Sequence, residues 1–88
     1  MKEKVIEIDG RKFVGKEPAG YALDVYITKY LDEKMNIPPE KLPEANVELI
    51  AMVFGLDPEE VKALPNSVYR PLLVAAGEMV GFQGKKGR

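Results

Sequence analysis

The chain opens with two short strand-like runs, Val5-Ile6-Glu7-Ile8 and Arg11-Lys12-Phe13-Val14. Asp9-Gly10 separates them and suits a two-residue type I′ turn, which needs positive φ at both positions. This predicts a β-hairpin over residues 4–16 that pairs Ile8 with Arg11, Glu7 with Lys12, Ile6 with Phe13 and Val5 with Val14. Ile6, Ile8 and Phe13 then share a core face, and Glu7 with Lys12 forms an opposite-charge cross-strand pair. Two strands cannot stand alone in water, so the hairpin must lie on helices or join another sheet.

After Pro18 and Gly20 the period changes to that of a helix. Leu23, Tyr26, Ile27, Tyr30 and Leu31 repeat at helical spacing with Asp24, Thr28 and Asp32 opposite, predicting a helix over about 19–35. Pro38, Pro39 and Pro43 interrupt the chain at 36–43 and predict an extended connection. A second helix follows over about 44–54; residues 49–56 are almost wholly apolar, which marks it as central, and Gly55 is its stop. Asp57-Pro58-Glu59-Glu60 then caps a short helix, with Glu60 at capping-box spacing and Pro65 as its end. Asn66 or Ser67 caps a last helix reaching about Phe82, with Pro71 in its early turns and Leu72, Ala75, Ala76, Met79 and Val80 as its apolar stripe. The expectation is an α+β fold: an N-terminal hairpin packed on a small bundle of about four helices, one domain over 1–82. Residues 83–88 form a basic tail expected to be flexible.

Composition narrows the chemistry. The 88 residues contain no His, Cys or Trp, one Thr (Thr28) and one Ser (Ser67). A Ser or Cys nucleophile with a His base cannot be built, nor can a Cys/His zinc site. The chain is therefore expected not to be an enzyme and to hold no cofactor or metal. Asp57, Glu59 and Glu60 are expected to cap a helix and compensate its dipole, and Asp32 with Glu33 to lie on a solvated face. No phosphate-binding glycine loop and no calcium-loop spacing is present.

Net charge is −1, unevenly placed: residues 17–63 hold ten acids and four bases, the flanks nine bases and four acids. An acidic centre is poor material for binding nucleic acid. No apolar run approaches the roughly 20 residues that span a bilayer. The N-terminal Met-Lys-Glu-Lys runs straight into a strand without an apolar signal core, so the expected location is the cytoplasm.

The remaining surplus is apolar. A chain this small has little interior for two broadly apolar helices, which points to contacts with other chains. Tyr21, Tyr26 and Tyr30 on the first helix and Leu73, Met79, Val80 and Phe82 on the last are the candidate contact residues. Met79→Asp or Val80→Asp is expected to reduce oligomer size.

The Ile6-Glu7-Ile8-Asp9-Gly10-Arg11-Lys12-Phe13 hairpin, its amphipathic helix, the run from Leu49-Ile50-Ala51-Met52 through Gly55-Leu56-Asp57-Pro58-Glu59-Glu60 to Pro65, and the terminal helix together resemble the tail assembly chaperones of long-tailed bacteriophages and related prophages. The resemblance covers nearly the whole chain. It implies a non-catalytic protein that binds the long helical tape measure protein during tail assembly, forms homo-oligomers and is absent from the finished particle. It also implies, in many such phages, a longer frameshifted form; Gly84-Lys85-Lys86 is compatible with a purine-rich slippery run. Two other readings stand beside it. Ile50, Ala51, Gly55, Val61 and Leu64 fall at helix-turn-helix spacing, as in a DNA-binding regulatory module, and the chain could be a structural subunit of a phage particle.

Overall fold

A computed structural model describes residues 3–81, so Phe82 and the basic tail at 83–88 lie outside the described residues. The order is β1 (Glu3–Ile8), β2 (Arg11–Lys16), α1 (Gly20–Tyr30), a 3-10 turn (Pro39–Lys41), α2 (Leu42–Phe54), α3 (Pro58–Lys62) and α4 (Asn66–Met79). This is the expected α+β arrangement of an antiparallel hairpin followed by four helices.

The hairpin register is the expected one, extended outward to Lys4↔Gly15 and Glu3↔Lys16. Asp9 (φ 50) and Gly10 (φ 81) supply the two positive φ values of the turn. The inner face carries Lys4, Ile6, Ile8, Arg11, Phe13 and Gly15 and packs on α2 and α4. Its two charges are both paired outward to helices: Lys4 with Glu78 of α4 at 2.9 Å, and Arg11 with Glu60 of α3 at 2.6 Å. Arg11 also lies 4.6 Å from the Phe13 ring centroid, covering that side chain.

α2 is the centre of the molecule. Ala45, Leu49, Ile50, Val53 and Phe54 are buried along it, and α1, α3, α4 and β2 all pack against it. Val61 from α3 and Val68, Leu72, Ala75 and Ala76 from α4 complete the core with Phe13, Tyr26 and Tyr30. Gly55, at φ 66, ends α2 in the left-handed region where an L side chain is strained.

Four local expectations need correction. α1 ends at Tyr30, not Met35, because Asp32 Oδ1 accepts from the backbone N–H groups of Lys34 and Asn36. That local turn competes with helix continuation, and Met35 follows at φ 66. The proline segment is not wholly extended: Pro39 and Pro43 sit in the first turns of the 3-10 turn and α2, where no backbone donor is required. Asp57 caps α3 by accepting from Glu59 N at 3.0 Å, but Glu60 turns away to Arg11 and closes no capping box. Pro65 occupies the cap position of α4, so neither Asn66 nor Ser67 caps it; Asn66 Oδ1 instead accepts from Arg70 Nε at 3.4 Å.

Candidate functional site

The surface feature of most consequence is the ridge of α1 that faces away from the core. Tyr21 is 82% exposed and Val25 44% exposed. They lie four residues apart and so stand one above the other on the helix. Beside this ridge runs a shallow groove of about 450 Å³, lined by Tyr21, Ala22 and Val25 of α1 and by Glu48, Ala51 and Met52 of α2. Its walls are apolar except at Glu48. Small Ala22 and Ala51 keep the groove open, and Met52 gives it an adaptable wall. A second shallow recess against the same ridge is lined by Asp24, Thr28 and Lys29, which give the ridge polar neighbours.

Glu48 marks the polar end of the groove. Its carboxylate accepts from the Tyr30 hydroxyl at 2.5 Å and lies 3.4 Å from Lys29 Nζ. Tyr30 packs on Tyr26 with ring centroids 5.3 Å apart and planes tilted by 53°. The Lys29 ammonium is held above its ordinary pKa, chiefly by its hydrogen bond to Glu48. Tyr30 is raised by burial first and by its bond to the Glu48 carboxylate second. Burial pushes Tyr26 up to about 12, with Tyr30 and then Glu48 adding to the shift.

The sign of the resulting pH dependence follows. The folded Tyr26 holds its proton past the ordinary value of 10.0, so the unfolded chain ionises first. Stability from this group is complete below pH 10 and falls as pH rises toward 12. Lys29 acts in the same direction, because its raised pKa also favours the folded, protonated form. We expect the denaturation midpoint to drop over this alkaline range, and to drop less in Tyr26→Phe. An equal slope in both proteins would contradict the assignment to Tyr26.

The structure separates the sequence-derived contact residues. Tyr21 is exposed, whereas Tyr26 and Tyr30 are 1% and 4% exposed and belong to the core, which removes them from the contact set. Leu73, Met79 and Val80 are half-buried at the core's margin, and Met79 shares a surface recess with Glu3, Lys4 and Glu78. Phe82 is outside the described residues. Val25 and Ala22 were not singled out by sequence reasoning, and Ala51 only for its helix-turn-helix spacing. The signal that finds Val25 is its i,i+4 relation to Tyr21, on a stripe separate from Tyr26 and Tyr30.

Among the described residues, no cluster of three or more His, Cys, Asp or Glu side chains could hold a metal ion, and no helix is long and apolar enough to cross a membrane. No family model, curated protein or solved structure matches the chain.

Proposed function

We propose that this chain is a non-catalytic assembly chaperone of the phage tail type, acting in the bacterial cytoplasm by binding the tape measure protein and by self-association. The observation that carries the reading is the groove between α1 and α2. Its apolar floor, the exposed Tyr21–Val25 ridge and the polar end at Glu48 suit one side of an amphipathic helix, the shape of client that a long helical tape measure protein offers. Apolar stripes on such a client would be shielded while exposed acids elsewhere on the chaperone keep the complex dissolved.

The helix-turn-helix reading is less well supported. α2, the left-handed Gly55 and α3 do form a helix–turn–helix corner. The second helix has only five residues, however, and presents Glu59 and Glu60 to solvent with Lys62 as its one base. Acids at that position repel the phosphates that supply most DNA affinity.

The test is co-purification and titration with the tape measure protein encoded in the same genome. The wild-type chain is expected to bind, and Val25→Asp to weaken binding by about 30-fold or more, as loss of a central contact does. Circular dichroism should show the fold unchanged, since Val25 lies outside the core. Wild-type chain that fails to bind, or a Val25→Asp variant that binds equally well, overturns the reading. Tight, salt-sensitive duplex DNA binding would transfer it to the regulatory alternative.

A further inference from the structure

The outer face of the hairpin is a second and separate surface. It carries Glu3, Val5 and Glu7 on β1 and Lys12, Val14 and Lys16 on β2. Val5 and Val14 face each other across the strands and are 58% and 42% exposed. The charges on either side of this pair are of opposite sign from strand to strand, yet among the described residues none of Glu3, Glu7, Lys12 and Lys16 enters an ion pair. The inner-face charges, Lys4 and Arg11, are both engaged. One strand thus displays acid, valine, acid and the other base, valine, base, with the valines in register.

We propose that this face docks a second copy of the same chain, sheet on sheet, about a two-fold axis parallel to the strands. Such an axis places β1 of one copy over β2 of the other without shifting either along its length. Val5 and Val14 then meet Val14 and Val5 of the second copy in the centre. Glu3 meets Lys16 and Glu7 meets Lys12, each twice, around the rim. The identity of the occupant follows from this match, because the face is complementary to itself. A two-fold axis across the strands would set Glu3 over Glu7 and Lys12 over Lys16, like charge on like. Edge-to-edge pairing of β1 with a second copy's β2 also matches the signs. It leaves the valines in water, and repeats into rings or filaments instead of closing at two.

The face is small. Two six-residue strands offer on the order of 300 Å² per copy, under half of the about 800 Å² typical of a stable partner. The dimer is therefore weak, forms at high concentration and loosens with salt. It uses a different surface from the α1/α2 groove; it rests on the self-association half of the chaperone reading and stands without the client-binding half, so the Val25→Asp variant dimerises like the wild type.

The test is solution mass by light scattering and sedimentation across a wide concentration range. The wild type is expected to pass from one chain toward two and to stop there, with dimerisation weakened several-fold by added salt. Lys12→Glu with Lys16→Glu makes the face all acidic, and Glu3→Lys with Glu7→Lys makes it all basic; each is expected to remain monomeric. Mixing these two variants should restore a dimer of one chain of each. Should charge reversal disrupt the hairpin, Val5→Thr with Val14→Thr keeps the β-branched strands while removing apolar contact, and is expected to weaken the dimer several-fold. A wild type that is monomeric throughout, that grows beyond two chains, or that dimerises independently of both the charges and the valines overturns the proposal.

Discussion

Leu72→Ala is expected to lower the free energy of unfolding by about 2–5 kcal/mol. Leu72 is 0% exposed, in the middle of the α4 stripe formed with Val68, Ala75 and Ala76, and α4 closes the core against α2 and the hairpin. Truncation removes apolar contact and leaves a void in the core that the surrounding side chains fill only in part. A domain of this size has about 4–12 kcal/mol of total stability, so the variant loses a large fraction of it. Leu72→Met, which keeps the volume, should cost less than about 1.5 kcal/mol. Urea denaturation of both variants checks the pair; a loss below about 1 kcal/mol for alanine would mean that α4 is not seated as described.

The second large effect comes from the smallest residue in the sheet. A Cβ on Gly15 would lie 2.8 Å from Phe54 Cε1, 3.1 Å from Phe54 Cζ and 3.1 Å from Val53 Cγ1. Both neighbours are buried on α2, so neither can swing into solvent. Gly15→Ala should therefore push the hairpin off α2 and cost about 1–3 kcal/mol, against an opposing gain of about 0.5–1 kcal/mol from the stiffer unfolded chain. Phe54→Leu in the same background frees space and should recover part of the loss. If Gly15→Ala is stabilising, the close approach of β2 to α2 is wrong.

Much of this architecture is legible in the amino-acid sequence, for physical reasons that differ by element. Asp9-Gly10 admits essentially one tight turn, and that turn sets the register of every pair in the hairpin. Gly55 and Asp57-Pro58 fix the corner between α2 and α3 in the same local way. The end of α1 is less visible, because helical periodicity continues through Leu31 while Asp32 offers its carboxylate to two later backbone donors. Gly15 reads as a weak strand residue until the neighbouring ring is placed.

The tyrosines show how much of the contact surface can be read. Tyr26 and Tyr30 repeat with Leu23 and Ile27 and belong to the buried stripe. Tyr21 precedes Tyr26 by five residues, about 140° around the helix, and so points elsewhere. Val25 joins it by the same geometry. The α2 half of the groove is harder to see: Ala51 and Met52 sit inside a continuous apolar run, and nothing in that run marks which residues α1 leaves uncovered.

The proposals assign separate tasks to two surfaces of this small fold. The α1/α2 groove suits a helical client, and the outer face of the hairpin suits a second copy. The most direct measurement of the central claim is an amide chemical-shift map of the labelled chain during titration with helical segments of the tape measure protein. Shifts concentrated on Tyr21, Ala22, Val25, Ala51 and Met52, with the hairpin unaffected, are the predicted result. Shifts spread over the hairpin or α3, or no shifts at saturating segment, would contradict it.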